Sequence, residues 1–317
     1  MRALRWAGPV VIMVAALVSL LAGPAAAATS QVRFKVTYGL AGGLGAIQHT
    51  LDLTSSPPGS NDFSCKPGSQ HPNPVVLVHG AGANQALNWH VFAPMLANNG
   101  YCVFSLTYGL NGRVPVGGMA AMQTSASKDL APFIDKVLAA TGAAKVDLVG
   151  HSEGTVMPRY YLRYLGGAEK VDKYVAMTPL YQGSNVLGLA NLYQLAEKLG
   201  LRPVVDPLIG AVSESGPQFL TGSDFLNSVN SGEAFPHQVH FTTIVTRYDE
   251  AVVPYTSGIA PAGPNITNLV LQDQCPTDLS EHVLEAVDPV VGQDILNALD
   301  PAHTVPVNCF GLPRNSG

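Results

Sequence analysis

Apolar residues along this chain fall into two kinds of segment. Short runs rich in β-branched residues, at 74–78, 101–106, 145–149, 173–178, 239–246 and 266–272, have few polar interruptions, as strands buried on both faces do. Between several of them the apolar period lengthens to that of a helix. Trp89, Phe92, Met95 and Leu96 mark one face over 88–99, and Gly100 stops the run. Leu130, Phe133, Ile134, Val137 and Leu138 do the same over 125–141 ahead of Gly142, and Pro158 stands in the first turn of a helix expected at 155–165. A last helix is expected at 289–299. This alternation predicts an α/β fold, with βαβ units building a mostly parallel central sheet that has helices on both faces. Residues 180–235 break the rhythm with Gly, Pro, Ser and short apolar patches, and read as an insertion that either caps a binding site or packs as an excursion.

The first residues follow a different pattern. Arg2 and Arg5 precede an apolar stretch at 10–21 and a run of small residues at 23–28, the signature of a secretory signal peptide over 1–28. The apolar stretch is shorter than the roughly 20 residues a membrane-spanning helix requires. The folded domain is therefore expected at 29–317, exported and without a transmembrane segment. At 47% apolar and 12% charged, the 317 residues exclude a disordered chain, a collagen and a coiled coil. A net charge of −5 argues against a nucleic-acid partner held by a basic face.

Export gives the four cysteines meaning. Cys65, Cys102, Cys275 and Cys309 all follow the leader, and an oxidising compartment favours two disulfides in one of three connectivities. Pairing 65 with 102 and 275 with 309 closes two loops of about 35 residues, each credited with about 3–4 kcal/mol by chain-entropy arguments. No cysteines stand at zinc-ligand spacing, and His237 and His240 lie in a segment that reads as extended, so no metal site is expected.

Chemistry enters at 150–154, Gly-His-Ser-Glu-Gly, a G-x-S-x-G pentapeptide between an expected buried strand and an expected helix. A sharp strand-to-helix turn there lifts the Ser152 hydroxyl above the sheet, beside free N–H groups that favour a developing oxyanion. The alternative use of such a serine is as a helix N-cap. A serine nucleophile needs a histidine to take its proton and an acid to orient the imidazole. In the chain order Ser, Asp/Glu, His the base is His237, His240, His282 or His303. The first two precede or enter a strand, whereas catalytic groups occupy loops beyond strand ends, which favours His282 with His303 as its rival. Asp249 directly follows the strand at 239–246 and is the expected acid, ahead of Glu250, Asp273 and Asp278. The oxyanion donors are expected from the backbone N–H groups of Glu153, after the nucleophile, and Ala81, in the loop after the first strand. The Glu153 side chain is expected to turn away from the site, and His79 and His151 to serve as scaffold hydrogen-bonders.

The stretches 75–80 (Val-Val-Leu-Val-His-Gly), 150–154 with 157–161 (Met-Pro-Arg-Tyr-Tyr), 248–250 (Tyr-Asp-Glu), 271–276 (Leu-Gln-Asp-Gln-Cys-Pro) and 279–282 (Leu-Ser-Glu-His) together resemble the secreted class 2 lipases of actinobacteria. The resemblance runs from about residue 65 to the C-terminus. It implies an α/β-hydrolase fold, carboxylic-ester hydrolysis without metal or organic cofactor, a Ser152, Asp249, His282 triad, and Ala81 in the oxyanion loop. The cysteine placement is similar to that of fungal lipase B enzymes, which implies the 65/102 and 275/309 pairing. Thr155 stands where the family often has a second glycine, and 178–182 (Thr-Pro-Leu-Tyr-Gln) differs from the usual loop, departures that bear on acyl-pocket shape. The expected substrate is a triacylglycerol or related acyl ester, with a lipid–water interface as one place of action. A polyester depolymerase or an acyltransferase with the same triad is the alternative, and Leu187, Leu189, Leu192 and Leu195 are candidates for an acyl-binding wall or lid, or for core packing.

Overall fold

A computed structural model describes residues 34–185, 198 and 211–315. The expected leader and Leu187, Leu189, Leu192 and Leu195 lie outside the described residues. Strands β1 (Val75–Val78), β2 (Val103–Leu106), β3 (Val146–His151), β4 (Val171–Met177), β5 (His240–Val245) and β6 (Ile266–Val270) form one sheet in the order β2-β1-β3-β4-β5-β6. Every neighbouring pair is parallel. The chain order reverses between β1 and β3, so the loops leaving their carboxyl ends border the crevice where open α/β sheets bind ligands.

Period-two side-chain alternation divides β1 between two cores. Val75 and Leu77 pack with Phe92, Met95 and Leu96 of helix Phe92–Asn98 and with Val291 and Ile295 of helix Pro289–Leu299. Val76 and Val78 face Ile134 and Val137 of helix Ala131–Thr141 and Met157 and Tyr161 of helix Met157–Tyr164. None of these four strand side chains has any exposed area, and burying each contributes about 1.5–3 kcal/mol. The two-sided burial is why the strand reads as an unbroken apolar run.

The helix ends obey local chemistry. Gly142 closes helix Ala131–Thr141 with φ 77°, and the Asp288 carboxylate caps helix Pro289–Leu299 by accepting the N–H groups of Val290 and Val291. The pattern at 125–141 resolves into three pieces, since the helical turn Met122–Ser125 and the π-turn Ala126–Leu130 precede the α-helix. The last strand stops at Val270 and passes into the helical turn Leu271–Gln274. Helix Gly39–Ile47 has no counterpart in the sequence reading.

Disulfides join Cys65 to Cys102 and Cys275 to Cys309, the pairing implied by the fungal resemblance. The first ties the loop before β1 to the start of β2; the second holds the C-terminal tail against the turn after β6. The described part of the insertion packs on helix Met157–Tyr164. The Arg159 guanidinium donates to the carbonyls of Val229 and Ala234, and the Tyr164 hydroxyl to that of Ser228. Among the described residues no helix is long and apolar enough to cross a membrane.

Candidate active site

The turn from β3 into helix Met157–Tyr164 is built by close backbone approach. A Cβ on Gly150 would overlap the Gly154 carbonyl oxygen, and one on Gly154 would overlap the Val78 carbonyl of neighbouring β1. Only glycine fits either position. Ser152, between them, is held at φ 54°, a left-handed conformation that costs a non-glycine residue of order 1 kcal/mol or more and here turns the hydroxyl out of the sheet. Thr155, buried, donates its hydroxyl to the Ser152 carbonyl at 2.6 Å, a bond that a glycine there cannot make.

Three loops from the carboxyl ends of β3, β5 and β6 bring Ser152, Asp249 and His282 together. His282 Nε2 lies 2.9 Å from Ser152 Oγ, and its Nδ1 lies 2.9 and 3.0 Å from the two Asp249 oxygens. An N–H on Nδ1 donating to the carboxylate leaves Nε2 as an acceptor for the serine proton. The Asp249 Oδ1 also accepts the N–H groups of Ala251 and Val252, at 3.0 and 2.7 Å, so the acid is fixed independently of the histidine. The Glu250 carboxylate accepts the His282 backbone N–H at 3.3 Å.

The other expected histidines and acids lie elsewhere. His303 pairs with Asp300, His237 with Glu233, Asp273 with Arg247, and Asp278 accepts the Ser280 N–H. His240 stands at the amino end of β5, at the opposite end of the parallel strands from the serine, which follows the carboxyl end of β3. Asn265 donates its amide to the carbonyls of Pro236 and Val239, bracketing the chain ahead of β5.

His79 and His151 hydrogen-bond to backbone groups around the elbow. His79 Nδ1 donates to the Gly80 carbonyl while Nε2 accepts the Tyr108 N–H, and burial lowers its pKa to about 4. His151 Nε2 donates to the His282 carbonyl at 2.9 Å, and burial, then the neighbouring His282, lowers its pKa to about 3. Both stay neutral and fix backbone. Asn88 Oδ1 accepts the Gly80 N–H at 3.0 Å, anchoring the loop after β1. Glu285, fully buried behind the acid, has its carboxyl pushed well above the usual range by burial and then by the Asp249 carboxylate.

A cavity of about 370 Å³ opens over Ser152 and His282. Its walls are the loop 80–83, the segment 283–287 and, unforeseen, helix Gly39–Ile47 through Leu40, Gly43, Leu44 and Ile47. None of the described residues of 180–235 lines it. Leu40, Leu44 and Ile47 repeat at helical spacing, a signal that the four glycines of the same helix obscured. Those three side chains and Val283 are 59–69% exposed around the opening. Among the described residues no group of His, Cys, Asp and Glu could hold a metal ion.

A nucleophile-type elbow, a histidine and an acid above a six-stranded parallel sheet define an α/β-hydrolase, and solved structures agree on the fold. Aspergillus fumigatus lipase B superposes with a TM-score of 0.61 at 19% identity, over 83% of this chain and 61% of that one. The propeptide form of the Bacillus licheniformis lipase BlEst2 superposes with a TM-score of 0.51 at 17% identity, over 82% of this chain and 55% of that one. The sequence model of the family described as "Lipase (class 2)" matches residues 72–291, and the chain belongs to that family. A triacylglycerol lipase of Pseudarthrobacter phenanthrenivorans is 35% identical over 99 residues, 27% of each chain, and one of Burkholderia plantarii is 35% identical over 99 residues, 27% of this chain and 24% of that one. The chain thus aligns with about a quarter of the length of these curated relatives.

Proposed function

We propose that the protein is a secreted serine lipase or carboxylesterase that hydrolyses triacylglycerols or related acyl esters through an acyl-enzyme. The carrying observation is the 2.9 Å contact between His282 Nε2 and Ser152 Oγ, at the floor of an apolar cavity. In this reading Ser152 Oγ attacks the ester carbonyl as its proton passes to His282 Nε2. The tetrahedral oxyanion is met by the backbone N–H groups of Glu153 and Ala81. Gly80, Gly82 and Ala83 donate theirs to Asn88, Gly117 and Gly80, which points to Ala81 for the loop's donor. Collapse returns the proton from His282 to the departing alcohol. Water, deprotonated by the same nitrogen, then releases the carboxylic acid and restores Ser152. No step calls for a metal or an organic cofactor.

The leader pattern at 1–28 and the two disulfides support export of a domain over 29–317. The exposed Leu40, Leu44, Ile47 and Val283 around the cavity support action at a lipid–water interface. The reading is tested with a fluorophosphonate probe, which is expected to label the wild type stoichiometrically at Ser152 and to leave Ser152→Ala unlabelled. Equal labelling of both would dismiss it, and acyl transfer to an alcohol without hydrolysis would reassign it as a transferase.

Chain-length preference is expected to follow helix Gly39–Ile47. Gly43 lines the cavity, and a Cβ built there meets nothing within 4 Å, so Gly43→Phe projects a ring into the space above Ser152. Its kcat/KM toward long-chain esters is expected to fall about ten-fold or more and toward acetate esters by less than about three-fold. A uniform loss across chain lengths would remove this helix from the acyl path.

A further inference from the structure

The Glu153 side chain lies behind the proposed oxyanion hole with no exposed area. Its Oε2 is so close to Gly118 that a Cβ on that glycine would come within 2.9 Å of it and within 2.8 Å of the Ala81 Cα. The carboxyl therefore sits against the strand of chain that backs the loop 80–82. That backing is hydrogen-bonded to the loop, because the Gly82 N–H donates to the Gly117 carbonyl and the Gly117 N–H to the Ala83 carbonyl.

Two hydroxyls face the carboxyl, those of Ser215 and Tyr108. Each already gives its single proton elsewhere. The Tyr108 hydroxyl donates to the His79 carbonyl at 2.7 Å, and the Ser215 hydroxyl to the Gly118 carbonyl at 2.7 Å. Neither hydroxyl is left to donate to Glu153, and neither carboxyl oxygen receives a hydrogen bond. A carboxylate there would be a buried charge facing acceptors, whereas a carboxylic acid has a proton to donate.

We infer that Glu153 is a neutral carboxylic acid that positions the oxyanion loop: its single proton is directed to the Ser215 oxygen and its uncharged carboxyl packs beside Tyr108 and Gly118, so that the loops 79–82, 117–118 and 213–216 are held against the nucleophile elbow. The inference rests on the proposed serine chemistry. Burial holds the carboxyl well above the usual range. The titratable groups around it are Tyr108, His79 stacked on that ring, the preceding His151 and, beyond Tyr108, Tyr174 and Asp129; no cation is among the groups that shift it. Ionisation removes that single proton and puts a negative charge behind the site where the oxyanion develops. The role predicts an alkaline loss of kcat that does not depend on His282.

The test compares wild type, E153Q and E153A in pH profiles of kcat and KM. Glutamine keeps the shape, offers an N–H donor to the same oxygen and does not titrate. E153Q is expected to raise the ratio of kcat at pH 10 to kcat at pH 7 by about five-fold or more over the wild type. E153A, which leaves the loops unbraced, is expected to have a kcat about ten-fold or more below E153Q, with KM within about three-fold. The stability sign is fixed as well. The folded acid keeps its proton above the pH at which the unfolded chain releases it, so wild-type stability falls with rising pH across that interval, and E153Q is spared the fall. Circular dichroism at each pH separates unfolding from the catalytic limb. An infrared difference between wild type and E153Q at pH 7 is expected to show a protonated-carboxyl C=O band that shifts in D2O. Superimposable normalised pH profiles for wild type and E153Q, equal kcat for E153Q and E153A, or no such band would each overturn the inference. A wild type that the fluorophosphonate does not label at Ser152 would overturn the serine chemistry and the positioning role together, while the infrared band still reports the carboxyl's protonation.

Discussion

Replacing His282 by alanine is expected to lower kcat by about four to six orders of magnitude while KM stays within about three-fold. The alcohol of Ser152 is a weak nucleophile at neutral pH, and the imidazole 2.9 Å away is the group positioned to remove its proton. No other histidine can substitute. His151 stands next to the serine in sequence, but its Nε2 is committed to the His282 carbonyl, and burial keeps its pKa at about 3. His303 is paired with Asp300 on the far side of helix Pro289–Leu299 from the turn that carries His282. Because the base and the nucleophile act as a unit, Ser152→Ala on top of His282→Ala is expected to add almost nothing further. Steady-state kinetics on a soluble ester settles the matter. A His282→Ala enzyme within about ten-fold of wild type would dismiss the assignment, and a comparable loss in His303→Ala would move the base.

What could be read from the sequence, and what could not, divides along the range of the forces involved. Strands β1, β2 and β3 were legible because residues such as Val75, Val76, Leu77 and Val78 are buried on both faces, and two-sided burial writes itself as an apolar run, whereas the half-exposed β6 was legible from its β-branched and apolar residues alone. The order of Ser152, Asp249 and His282 was legible because each belongs to a loop just after a strand or ahead of the last helix. The structure brings those three within hydrogen-bond reach of one another and leaves His237, His240 and His303 apart. Helix Gly39–Ile47 was not legible, since its glycines argue against a helix and its leucines face a cavity built by residues more than thirty positions away. The Glu153 side chain was expected to turn away from the site. It does turn away, but into an interior where its neighbours are already donating, and no local pattern reports where distant Tyr108 and Ser215 direct their protons. Local propensity and motif are written in the chain; the sharing of buried hydrogen bonds among four separate loops is decided only when the loops meet.

Gly154→Ala is expected to prevent folding of the active enzyme, with a stability loss of about 3–5 kcal/mol or more and no recoverable esterase activity. The new Cβ would overlap the Val78 carbonyl and come within 2.7 Å of the His79 carbonyl. Neither obstacle is the movable end of a side chain. Val78 is paired in register with Gly150 of β3 and Leu106 of β2, so moving its carbonyl opens the centre of the sheet. Moving the elbow instead shifts Ser152, whose φ of 54° depends on these contacts. The same loop contacts that give the serine its exposure therefore make the site intolerant of a single methyl group. Gly68→Ala supplies the control, because Gly68 is exposed, has nothing within 4 Å of its Cβ position, and is expected to change stability by less than about 1 kcal/mol. Soluble yield and thermal unfolding of the two variants distinguish the cases. A Gly154→Ala protein that melts within about 3 °C of wild type would mean that β1 and the elbow are not in contact as described.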